Sequence, residues 1–104
     1  MQLIDTHSHL YADEFDSDRA EALARTREEG VTTLLLPAID SQSHERMLSL
    51  ALSEPEMCYP MMGLHPTSVN ENPRWREELA EVERYLDAPP QGIKFCAVGE
   101  IGLD

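Results

Sequence analysis

Four short apolar, β-prone runs recur along the chain: QLIDTHS from Gln2, VTTLLLPA from Val31, CYPMMGL from Cys58 and IKFCAVG from Ile93. Their starts are about 27 to 35 residues apart, the period of a strand–helix unit. Three helical patterns lie between them. The first spans about Asp18 to Glu29: Asp18 and Glu21 have capping-box spacing, Ala20, Leu23 and Ala24 supply an apolar face, and Gly30 is a stop signal. The second begins near Ser41, sets Met47, Leu48, Ala51 and Leu52 on one face, and ends before Pro55. In the third, Asn72 stands as a cap and Pro73 at the first helical position. Trp75, Leu79, Val82 and Leu86 then form one apolar stripe, which reads as core packing and leaves no ligand role for Trp75.

Four strands thus alternate with three helices, strand first and strand last. That is an α/β order, and it predicts a parallel sheet with right-handed crossovers. The nearly continuous apolar run TTLLLPA fits a strand with helices on one face and a filled interior on the other. HPTSVNENP and DAPPQG read as irregular connections.

Composition narrows the class. At 104 residues the chain is one domain at most, and its 41% hydrophobic and 27% charged content is that of a globular protein. No run approaches the ~18 apolar residues of a membrane span. MQLIDTHSHL places Asp and His where a signal peptide carries a basic end and an apolar block, so the expectation is a cytoplasmic chain with no membrane partner. Cys58 and Cys96 lack CxxC spacing and read as reduced core thiols. A net charge of −12 argues against a basic, phosphate-tracking surface. It leaves phosphate chemistry open, because a site that reaches phosphate through metal ions needs acidic and imidazole ligands. Most of the acidic residues read as solvated surface.

Ligand-type residues collect at the C-terminal ends of the predicted strands: His7 and His9 after the first, His65 after the third, Glu100 after the fourth. Active sites form at that edge of a parallel α/β sheet. On a strand, residues i and i+2 point the same way, so His7 and His9 present two imidazoles to one side. Such a pair suits zinc, manganese or another transition metal. Asp5 shares their parity and is placed to accept an imidazole N–H. Glu100 shares parity with Cys96 and Val98 and points inward, where a carboxylate without a cation is costly. For His65 two readings stand open, a hydrogen bond beside the turn fixed by Pro66 or a substrate contact. His44 reads as surface; Asp40 and Asp104 lie at the same edge, where loop or capping roles are equally open.

IDTHSHL (4–10), GLHP (63–66) and VGEIGLD (98–104) resemble the three N-terminal signatures of the TatD-type deoxyribonuclease family, metal-dependent hydrolases with a (β/α)8 barrel. GVTTLLLPA (30–38) resembles the family's second strand, and the resemblance spans essentially the whole chain. It implies that His7 and His9 bind one divalent metal, that Glu100 bridges it to a second and is catalytic, and that His65 lies near the substrate. Asp5 and Asp104 are placed with the substrate or behind the ligands. The implied cofactors are two divalent ions, zinc, manganese or magnesium, which activate water for attack on the phosphorus of DNA or another phosphodiester.

A (β/α)8 barrel takes ~250 residues. The family's remaining ligands lie on strands beyond the fourth. Residues 1–104 are therefore expected to be the N-terminal portion of a truncated TIM barrel, holding one metal at most, with negligible turnover. Unpaired strand edges and an open apolar face predict self-association. Two other readings stand beside this one. A related barrel hydrolase would act on esters or amides, including aminoacyl-tRNA, since a metal pair serves attack on carbonyl carbon equally. A non-enzymatic half-barrel would serve only to oligomerise. The polymerase-and-histidinol-phosphatase type of domain also opens with H-x-H, but GLHP followed by VGEIGLD speaks against it.

Overall fold

A computed structural model describes residues 2–101. Strand β1 (Leu3–Asp5) leads through a 3-10 turn at Asp13–Phe15 into α1 (Arg19–Glu28) and β2 (Val31–Pro37). Then follow α2 (Ser41–Ser53), β3 (Cys58–Met62), a short α3 (Pro66–Asn70), α4 (Trp75–Asp87) and β4 (Ala97–Val98). The strands pair in parallel in the order β1-β2-β3-β4, with Leu3 opposite Val31, Leu34 opposite Cys58 and Met61 opposite Ala97. Each new strand is added on the same side of the last. That order begins a (β/α)8 barrel, whereas a doubly wound sheet reverses direction. The expected α/β class is therefore the one observed.

The core lies between the sheet and its helices. Leu34, Leu36 and Ala38 along β2 are buried, packed with Leu23 of α1, Met47, Leu48, Leu50 and Ala51 of α2, Met62 and Leu64 around the end of β3, and Val82 of α4. Alternation explains the choice of side along β2: Leu34 and Leu36 face the helices, while the outer strands each have one neighbour among the described residues. β1 and β4 come out shorter than their apolar runs. The ladder nevertheless continues past β1, where Ser8 N–H donates to Leu35 O at 3.0 Å, and past β4, where Gly99 N–H donates to Met62 O at 3.1 Å.

Several expectations need correction. The Asp18 side chain makes no capping bond at α1. The capping box sits instead on α2, where the Asp40 carboxylate accepts from Ser43 N–H and the Ser43 side chain accepts from Asp40 N–H. Asp40 is thus a cap. Gly30 does stop α1, at a φ of 91°. Leu52, Leu79 and Leu86 are exposed, and only Val82, with half-buried Trp75 and Tyr85, carries α4 onto the core. His44 is fully buried rather than on the surface. It lies on the same helical face as Met47, Leu48 and Ala51, with its ring nitrogens 3.1 Å from Glu81 Oε2 and 3.3 Å from Gly63 O. Cys58 is buried, which pushes its thiol up to about 11. Cys96 is free but exposed, so only one of the two thiols belongs to the core. Among the described residues, no helix is long and apolar enough to cross a membrane.

Candidate metal centre

His7 and His9 follow β1 directly, on backbone that Ser8 still ties to β2, so their side chains project to the same side. Their Nε2 atoms are 3.1 Å apart. Glu100, just past β4, brings Oε1 to 3.4 Å from His7 Nε2 and Oε2 to 3.6 Å from His9 Nε2. Donor atoms of His7, His9 and Glu100 all lie within 4.8 Å of one another. The group sits at the C-terminal ends of the outer strands, the edge at which the sequence places it.

A close backbone approach just beyond β3 lets Glu100 sit there. Gly63 has no side chain to hold the fourth strand off: a β-carbon on it would stand 2.1 Å from Gly99 O. Beyond Gly63 the chain turns at His65, whose N–H donates to Ile39 O at 2.8 Å. His65 caps α3, a helix inside the stretch expected to be irregular; Pro66 at its first turn starts it. His65 Nδ1 accepts from Thr67 N–H at 3.1 Å. An amide can only donate, so the ring proton of a neutral His65 resides on Nε2, which faces Glu100 Oε1 at 3.6 Å. Of the two readings of His65, the hydrogen bond at the turn is the one observed, and its other nitrogen reaches the cluster.

Among the described residues, Asp5 is bonded to backbone rather than to an imidazole. Its Oδ1 accepts from the backbone N–H of His7 at 3.0 Å, a local turn contact that an aspartate makes readily at this spacing. The partner behind His9 is Tyr11, which the sequence reading missed: its hydroxyl lies 2.9 Å from His9 Nδ1. A signal was present, since Tyr11 continues the period-two series of Asp5, His7 and His9. Asp104 lies outside the described residues.

Burial lowers the pKa of His9, Glu100 opposes this, and His7 and His65 add to the lowering. A neutral imidazole is the form that binds metal. Two imidazole nitrogens with one carboxylate form a donor set suited to a divalent transition metal. The cluster stands on an open edge. A cleft of about 620 Å³ lies elsewhere, between α2 and α4, lined by Ser41, Asn72, Glu78 and Arg84 among others.

Residues 4–104 match the family model described as TatD related DNase. The chain is 33% identical over 102 residues to the 3'-5' ssDNA/RNA exonuclease TatD of Erwinia tasmaniensis, covering 98% of this chain and 37% of that protein. It is 33% identical over 103 residues to the uncharacterized metal-dependent hydrolase YjjV of Escherichia coli, covering 99% of this chain and 38% of that one. The crystal structure of YJJV, a TatD homolog from Escherichia coli, superposes with a TM-score of 0.81 at 32% identity, over 98% of this chain and 38% of that chain. The chain thus spans little more than a third of the length of these relatives.

Proposed function

Because this chain belongs to the TatD related DNase family, we propose that it forms the N-terminal part of a metal-dependent phosphodiesterase acting on nucleic acid. In this reading His7, His9 and Glu100 hold a divalent cation. The observation that carries the proposal is their convergence within 4.8 Å at the C-terminal ends of parallel strands. The nucleic-acid substrate is supported by relatives named as ssDNA/RNA exonucleases.

When bound, the cation supplies a Lewis acid and lowers the pKa of water. The chain's own residues do the rest of what is proposed. His9 offers a neutral nitrogen, favoured by its burial. Glu100 turns one oxygen toward His7 and His65 and the other toward His9, a disposition suited to bridging two ions. His65 presents an N–H at the same edge, placed to donate to a phosphate oxygen of the substrate. Zinc, manganese and magnesium are the candidate ions. The 104-residue chain is proposed to hold one ion at most, with negligible turnover.

A second reading, hydrolysis of an ester or amide, is favoured by the net charge of −12, which repels nucleic acid. Parallel assays of the longer protein on single-stranded DNA and on ester substrates would separate the two.

The metal reading is tested by titrating zinc and manganese into the chain by calorimetry. The expected result is one saturable site, abolished in His9→Ala and Glu100→Gln. Binding undisturbed by both substitutions overturns it.

A further inference from the structure

We infer that Tyr11 is a positioning residue for His9: its hydroxyl holds the imidazole in the Nδ1–H tautomer, so that the bare Nε2 faces His7 and Glu100. The consequence for metal binding rests on the reading of the cluster just given. The tautomer itself follows from hydrogen-bond accounting within the chain.

A phenol carries one proton and can donate one hydrogen bond. The Tyr11 oxygen lies 2.6 Å from the carbonyl oxygen of Pro37. That carbonyl has only lone pairs, and two oxygens at this distance attract each other only with a proton between them. The phenol proton is therefore committed to Pro37. Toward His9 Nδ1, 2.9 Å away, the same oxygen can only accept. Nδ1 must then be the protonated nitrogen, and Nε2 keeps its lone pair. That lone pair is on the atom 3.1 Å from His7 Nε2 and 3.6 Å from Glu100 Oε2.

The arrangement is rigid. Tyr11 is 2% exposed and part of the central apolar cluster, so its ring is held on all sides. Pro37 ends β2, and its carbonyl therefore belongs to an inner strand of the sheet, paired on both sides. Through Tyr11 the tautomer of a surface-edge histidine is tied to the core.

His65 supplies the contrast. Thr67 N–H fixes it with the proton on Nε2, the opposite of His9. The same edge thus carries one imidazole set as a ligand and another set as a donor. Partners behind a metal-binding histidine typically matter by about 10–100-fold in affinity.

The test is a two-bond 1H–15N correlation spectrum of the imidazoles in the 15N-labelled chain, freed of metal with a chelator and held at neutral pH. The expected pattern is a protonated Nδ1 and bare Nε2 for His9, with the reverse for His65. In Tyr11→Phe, His9 should gain the Nε2–H form while His65 keeps its pattern. An Nε2–H tautomer at His9 in the unsubstituted chain overturns the inference, and this spectrum decides it even if the variant does not fold. An unchanged His9 tautomer in a folded Tyr11→Phe overturns it too. Zinc titrations of both proteins supply the second readout, with affinity expected to fall about 10–100-fold in the variant. Equal affinities despite a shifted tautomer refute the positioning role. If the unsubstituted chain shows the Nδ1–H form but binds no zinc, the metal reading fails and the tautomer assignment stands.

Discussion

The backbones of Gly63 and Gly99 touch: a β-carbon on Gly63 would lie 2.1 Å from Gly99 O and 2.9 Å from the nitrogen of Glu100. Both obstructing atoms are backbone, so no side chain can swing aside to make room. Gly63→Ala must push the ends of β3 and β4 apart. Overpacking of this kind costs about 1–3 kcal/mol. The effect on the site should exceed the effect on the fold, because Glu100 moves with the strand end. The expected outcome is a modest loss in the urea midpoint together with loss of zinc binding by calorimetry.

His44 supports the same backbone from the helix side. Its Nε2 donates to Gly63 O at 3.3 Å, and its ring meets Tyr85 edge-on at 5.5 Å between centroids. His44→Leu keeps apolar volume but removes the donor, leaving a buried carbonyl and the Glu81 carboxylate without their partner. An unsatisfied buried group costs about 1–3 kcal/mol. Chemical denaturation should show a loss of that size, and a variant as stable as the parent would contradict the role given to His44.

How far these contacts could be read in advance depends on their kind. The alternation of strands and helices was legible because four β-prone runs recur at about 27 to 35 residues with helical patterns between them. The order of the strands across the sheet was implied only by the family resemblance. His7, His9 and Glu100 were legible because strand parity and position at the sheet edge act together. His44 was misread because one polar letter on an apolar helical face looks like the solvent side, and its partners Gly63 and Glu81 are distant in sequence. Tyr11 was missed because an aromatic residue reads as packing; its hydroxyl's role depends on Pro37, 26 residues away. Asp5 had the right parity, yet a local bond to the His7 amide won over the longer reach to a ring. Residues 66–70 gave no helical signal because Thr67 and Val69 are β-branched, and a cap at His65 with Pro66 outweighs that weak preference.

Acid should loosen the contact between α2 and α4. Glu78 accepts from Ser41 N–H at 3.0 Å, from the Ser41 hydroxyl and from the Asn72 amide. Burial pushes its carboxyl up, but the bonds from Ser41, the nearby His44 and the Asn72 bond outweigh this, and the net shift is below the ordinary 4.5. A carboxyl whose folded pKa is depressed stabilises the fold fully above its unfolded value, and that stability is lost as pH falls through the folded value. Glu78→Gln should therefore cost about 1–2 kcal/mol at neutral pH and less in acid. Urea midpoints for both proteins, followed from neutrality to below 4.5, should converge. Curves that stay parallel would show that Glu78 does not carry this dependence.

The outer strands should make the chain self-associate. Ile4 on β1 is 63% exposed and Val98 on β4 is 53% exposed, on strands with one neighbour each among the described residues. Free backbone donors and acceptors beside apolar side chains template pairing with another strand. Sedimentation velocity is expected to show a weight-average size that rises with concentration. A lysine at the edge opposes such pairing, because its charge would have to be buried against the incoming strand. Ile4→Lys should shift the distribution toward monomer while changing stability by no more than about 0.5 kcal/mol, as expected for an exposed position. A sharp monomer at every concentration in the unsubstituted chain would mean that the exposed edges are not sticky enough to pair.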